Sequence, residues 1–83
     1  MVKRMTLQIG DLVRIRENIN LVPLTKDVPD HIPAGIYGEV TEVFERESGE
    51  VYCQVEFHEP YEIFNELVLA AHDLELMFRI SLN

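Results

Sequence analysis

Residues 32–44, Ile32-Pro33-Ala34-Gly35-Ile36-Tyr37-Gly38-Glu39-Val40-Thr41-Glu42-Val43-Phe44, constrain this chain more than any other stretch. Pro33 fixes its own backbone and removes an amide donor, and Gly35 suits a turn position with positive φ. Past the turn, apolar residues return at Val40 and Val43, three apart rather than two. A strand repeats every second residue, so one extra residue at Thr41 or Glu42 is needed to put both valines on one face. Gly38 permits a close backbone approach, a bulge or a positive φ. The partner strand is explicit. In Val51-Tyr52-Cys53-Gln54-Val55-Glu56-Phe57 the odd positions are apolar and point inward, and Tyr52, Gln54 and Glu56 point outward. Glu47-Ser48-Gly49-Glu50 is the hairpin turn between them, with Gly49 in the left-handed position.

Strands extend on both sides of this hairpin. Gly10-Asp11 is a turn signal, and Leu12-Val13-Arg14-Ile15-Arg16 alternates inward Val13 and Ile15 with outward arginines. Between Glu17 and Ala34, Pro23, Pro29 and Pro33 forbid a helix and disfavour a central strand. Ile19, Leu21, Val22, Leu24, Val28 and Ile32 are too many apolar residues for a solvated loop, so this is an ordered excursion packed on the core. A second register places the first core strand at Leu21–Thr25. Met1 to Gln8 reads as a lead-in or a short edge strand. Tyr61 to Ala71 fits either a helical stripe (Ile63, Leu67, Ala70 or Ala71) or a strand (Leu67, Leu69). A 3₁₀ turn follows at Ala71–Leu74, and Glu75–Ile80 is the last strand. The pattern is mainly β: one domain, a small closed barrel of about five antiparallel strands. A long ordered loop separates the first two strands, and a 3₁₀ turn precedes the last.

An 83-residue chain has a thin stability margin, and 47% hydrophobic content must supply its core. With a single cysteine, Cys53, no intrachain disulfide can form, and no zinc site built on several cysteines exists. That fits a reducing compartment, and the absence of a long apolar run or a signal-like start makes the cytoplasm the expected location. The net charge is −8, and it is uneven. Lys3, Arg4, Arg14 and Arg16 precede a region, Glu39 to Glu66, with nine glutamates and one basic residue, Arg46. Phosphate backbones need cations to displace their counterions, so this surface argues against direct nucleic-acid binding.

Leu24-Thr25-Lys26-Asp27-Val28-Pro29-Asp30-His31, then Ile32-Pro33-Ala34-Gly35 with Gly38-Glu39-Val40-Thr41-Glu42-Val43, then Val55-Glu56-Phe57 occur in order. Together, over about residues 20–76, they resemble a family of small bacterial proteins defined by a domain of unknown function. In that family a threonine is usual where Glu39 stands, and a glycine turn tends to follow the position of Phe57. Gly10-Asp11-Leu12-Val13-Arg14-Ile15 and residues 35–40 are more distantly similar to SH3-like accessory subunits. Examples are the small stromal subunit of photosystem I and the barrel of the nitrile hydratase β-subunit. The resemblance implies an SH3-like barrel and a docking role, and no activity.

No catalytic constellation emerges. Cys53, between Val51 and Val55, reads as a buried and inert thiol. His31, His58 and His72 match no metal-ligand spacing, so no metal or other cofactor is expected. Glu59, Glu62 and Glu66 would need a cleft that shifts one of their pKa values, and a barrel of this size is expected to fill its own interior. The aromatics are more informative. Tyr37, Tyr52 and Tyr61 fall at outward or loop positions, where Phe64 could join them. Exposed aromatics beside polar groups are enriched at interfaces, although tyrosines also cover barrel edges. The candidate partner-binding surface is Tyr37, Tyr52 and Tyr61 ringed by Glu39, Glu56, Glu59 and Glu62. The reading is a non-catalytic module that docks a basic protein, with no membrane partner. The alternative is an antitoxin, immunity protein or inhibitor whose carboxylates cover a basic site on a toxin or nuclease. Exposed edge strands leave a homodimer open.

Overall fold

The computed structural model describes residues 7–22 and 25–80. Met1 to Thr6, including Lys3 and Arg4, and Pro23 and Leu24 lie outside them. The described residues form seven strands: β1 (Leu12–Ile15), β2 (Ile19–Asn20), β3 (His31–Ile32), β4 (Tyr37–Glu45), β5 (Val51–Phe57), β6 (Val68–Ala70) and β7 (Leu74–Phe78). Two 3₁₀ turns, Glu62–Phe64 and Ala71–Asp73, flank β6. Five strands make one antiparallel sheet in the order β6-β5-β4-β1-β7, and β2 and β3 pair separately.

β4 organises the sheet. Its first three residues pair with β1, and from Gly38 to Glu45 it pairs with β5. The register runs Val40↔Val55 and then Glu42↔Gln54, so Thr41 is the extra residue that the valine spacing requires. Val40 is thereby buried and Val43 packs against the core from the same side. The bulge bends the strand and strengthens its twist, which lets one strand serve both halves of a curled sheet. Gly38 is the second device. A Cβ built there would lie 2.4 Å from Val55 Cγ1 and 2.8 Å from the Glu56 carbonyl oxygen. Its φ is not positive, so close approach is what requires glycine here. Gly35 and Gly49 do hold positive φ, +91° and +90°. At the hairpin tip the Gly49 amide donates to the Arg46 carbonyl at 2.8 Å, and the Arg46 amide donates to the Glu50 carbonyl at 2.8 Å.

The core lies on one face of this sheet: Val13 and Ile15 from β1, Val40 from β4, Cys53, Val55 and Phe57 from β5, Leu69 from β6 and Leu74 from β7. Ile32 caps it from the excursion between β1 and β4, and Ile19 and Leu21 pack against it. That excursion is ordered by its own bonds. The Ala34 amide donates to Asn18 Oδ1 at 2.8 Å, and the Leu21 amide to the Asp30 carbonyl at 2.8 Å. Val22, by contrast, is 91% exposed.

Two expectations change, the closure of the sheet and the lack of a cleft, and two open alternatives are decided. The sheet is open, since β6 and β7 are its two edges and no ladder joins them among the described residues. β6 is only three residues long, and the Ala71–Asp73 turn carries the chain across the unclosed side to β7 instead of extending the ladder. Second, Leu12–Ile15 is the strand between β4 and β7, while Leu21 and Val22 belong to no strand. Third, residues 61–71 are neither one helix nor one strand but a 3₁₀ turn followed by β6. In that turn Phe64 is buried and Ile63 is 55% exposed, so Phe64 is a core residue and not a surface aromatic. The helical stripe placed the wrong neighbour inside because a 3₁₀ turn advances its face differently from an α-helix. Fourth, the fold does carry a cleft, although the core itself is filled: Val13, Val40, Cys53 and Val55 are fully buried. On the open side lies a half-open cleft of about 640 Å³, lined by Leu7, Val51, Ala70, Ala71, Leu74 and Leu76 among others.

Candidate functional site

The outer face of the sheet carries the acidic residues in rows fixed by strand register. Glu39 on β4 stands directly opposite Glu56 on β5, with Leu12 of β1 on the other side of Glu39. Phe78 of β7 completes that row. Two carboxylates opposite each other on one face repel, a destabilising arrangement in a sheet. Both are exposed, as is Glu42 farther along β4, which pairs with Gln54. In the row on the other side, Tyr37 faces Arg14, which in turn faces Glu75 on β7. Tyr37 is 46% exposed.

The arginines on and around this face are held by other partners. The Arg14 guanidinium grips Glu75, with Nε 3.0 Å from Oε1, and this contact holds the Glu75 carboxyl below its ordinary value. Arg16 Nε donates to the Leu74 carbonyl at 3.2 Å. Arg46 lies over the Tyr52 ring, 4.6 Å from its centroid. Arg79 clasps Asp11 with two charge-assisted bonds, Nε to Oδ1 at 2.9 Å and Nη2 to Oδ2 at 2.8 Å. Asp11 is almost fully buried, and its Oδ2 also accepts the Gln8 amide at 2.7 Å. The Arg79 hydrogen bond is the main reason that its carboxyl sits below the ordinary range; burial opposes the shift. The sequence marks Asp11 only as a turn residue. A buried aspartate needs a cation, and the tail arginine was the available signal.

The seven anticipated residues do not form one ring. Tyr37, Glu39 and Glu56 share the end of the β4–β5 hairpin where β4 begins and β5 ends, and Glu59 follows two residues beyond β5. Tyr52 pairs with Phe44 near the opposite end, about 20 Å from Tyr37 at the rise of an extended chain. There its hydroxyl donates to Glu50 Oε2 at 2.6 Å, which raises the phenol's pKa. Tyr61 is half-buried and packs against the core ahead of the first 3₁₀ turn, while Glu59 and Glu62 are exposed. The physical reason is strand length. The outward positions of a nine-residue strand share a face but not a neighbourhood.

Elsewhere the chemistry is quiet. Cys53 is buried and unpaired, and desolvation pushes its thiol up. Among the described residues no group of three or more His, Cys, Asp and Glu is placed to hold a metal ion, and no helix is long and apolar enough to cross a membrane. Compared with protein-family models, curated proteins and solved structures, the chain matches none.

Proposed function

We propose that this protein is a non-catalytic SH3-like module that docks a basic protein partner through the Tyr37–Glu39–Glu56 end of its sheet face. One observation carries the reading. Among the described residues Glu39 and Glu56 stand in register and neither makes an ion pair, while Arg14, opposite Tyr37, is held by Glu75, and Arg16, Arg46 and Arg79 have other partners. The surplus negative charge is thus concentrated where a partner can reach it, and such a field speeds encounter with cationic surfaces. Glu42 extends the acidic surface along β4, and Glu59 and Glu62 extend it into the loop beyond β5. Tyr37 offers an aromatic contact beside it. The strand order, the long excursion after β1 and the 3₁₀ turn before β7 support the SH3-like assignment. A single buried free thiol is compatible with a cytoplasmic location.

The test is capture from lysate on the immobilised protein, with bound proteins identified by mass spectrometry. A stoichiometric partner that is retained in low salt, released in high salt and lost with Glu39→Gln/Glu56→Gln is the expected result. Capture that ignores both salt and the double substitution would refute this face as the docking surface.

A further inference from the structure

We infer that the docking face has an acidic half and an apolar half, and that it takes a basic amphipathic peptide segment of the partner. That segment carries paired lysines or arginines and, about 10 Å away, large apolar side chains. The inference rests on the acidic docking reading and names the chemistry of its partner. One outward row of the sheet carries it. In register across four strands stand Glu56 on β5, Glu39 on β4, Leu12 on β1 and Phe78 on β7. All four are exposed, Leu12 by 38% and Phe78 by 61%. The row is therefore acidic on β4 and β5 and apolar on β1 and β7. Met77, the extra residue of β7 between the paired Leu76 and Phe78, is also open, and so is Ile80. The next outward row, Tyr37–Arg14–Glu75, adds no net charge, because Arg14 and Glu75 pair.

Neither half suffices alone. Exposed ion pairs contribute little affinity, and their field acts chiefly on the rate of encounter. The contact that holds must come from desolvated apolar surface, and an apolar patch bordered by polar groups is the mark of such a contact. Leu12 and Phe78 border two carboxylates that make no ion pair among the described residues. A partner that covers the row must therefore bring cations and apolar groups together. A second copy of this chain, at net charge −8, matches the acidic half poorly. Strands lie about 4.8 Å apart, so the centres of the carboxylate pair and of the apolar pair are about 10 Å apart. An extended chain covers that distance in about three residues and a helix in about seven, so a peptide of about twelve residues contains the pattern in either form.

A phage-displayed library of random peptides of that length, panned on the intact protein, supplies the probes. Enriched peptides should combine paired lysines or arginines with leucine, phenylalanine or another large apolar residue. Their kinetics are then measured by surface plasmon resonance. Glu39→Gln/Glu56→Gln should slow association about tenfold and flatten its salt dependence. Leu12→Ser/Phe78→Ser should speed dissociation about tenfold with an unchanged circular dichroism spectrum. Phe78→Ser alone, at the more exposed of the two positions, should shift dissociation in the same direction if the pair disturbs the fold. Purely basic peptides whose dissociation ignores Leu12 and Phe78 would overturn the inference and leave the acidic reading standing. Peptides that ignore Glu39 and Glu56 would overturn the acidic reading with it. A library that yields no enriched peptide would also overturn the inference, because the face then holds no such segment.

Discussion

The β1–β7 pair and the β4–β5 hairpin handle charge in opposite ways. Across β1 and β7 each arginine has a partner: Arg14 takes Glu75, Arg16 takes a backbone carbonyl, and Arg79 takes buried Asp11. Across β4 and β5 two glutamates stand opposite each other in register, and neither makes an ion pair among the described residues. Electrostatics supports the fold in the first region and opposes it slightly in the second. The hairpin tolerates the repulsion because Val40, Cys53, Val55 and Phe57 are buried behind it and Gly38 lets β5 come close. Burying apolar area at about 25 cal/mol per Å² outweighs one exposed like-charge pair. The lesson is that a carboxylate pair on a well-anchored sheet is available for recognition without endangering the fold.

The largest effects should come from breaking that anchor. Val55 is fully buried, so Val55→Asp places an unpaired carboxylate in the core. That costs several kcal/mol against a total on the order of 5, and a thermal melt should show no cooperative transition. Gly38→Ala should cost about 2–3 kcal/mol in urea unfolding, because backbone and a core valine both obstruct the new methyl. Full tolerance of Gly38→Ala would mean that the hairpin is not held as closely as described.

Both of these sites were legible in the residues, and the reason is periodicity. Alternation over 51–57 and the three-residue gap from Val40 to Val43 follow from strand geometry alone, so the hairpin, its bulge and its inward face could all be read. What could not be read depends on contacts distant in sequence. Asp11 meets Arg79 across 68 positions, and no local pattern announces such a pair. Whether the sheet closes turns on the length of β6, three residues that helical and strand templates describe equally well. The candidate site was legible in part. Alternation showed that Glu39 and Glu56 face outward, but it did not show that Tyr61 packs against the core, and grouping the rest needed the register that sets Glu39 against Glu56 and sends Tyr52 to the far end.

A middle-sized effect would sharpen the other half of the comparison. Asp11→Ala removes the acceptor of two guanidinium bonds and of the Gln8 amide, and should cost about 2–3 kcal/mol in urea unfolding. The same clasp sets an acid response. The Asp11 carboxyl is held below its ordinary 3.8 in the folded state, so the unfolded chain binds the proton more readily. The clasp therefore contributes fully above the ordinary value, and its contribution is lost as pH falls through the lowered folded value. Melting temperature should drop below about pH 4 in the parent, and less steeply in Asp11→Asn. Equal slopes in the two proteins would remove Asp11 from the acid response and leave it to the half-buried Glu75 and exposed Asp30 carboxyls.

The smallest expected effect tests the comparison most directly, because its sign is unusual. Glu39→Gln/Glu56→Gln deletes two charges that partners would need, and at most surface positions such a change moves stability little in either direction. Here it also removes a cross-strand repulsion, so the double variant should be more stable than the parent by roughly 0.2–1 kcal/mol. The gain should shrink as salt is added, since exposed charges more than a few ångströms apart are screened. Each single substitution should recover most of it, because removing either charge abolishes the pair. A double-mutant cycle in urea at low and high ionic strength measures all of this. Additive single effects, or a variant less stable than the parent, would mean that other contacts compensate the two carboxylates, and the contrast between the two regions would fail.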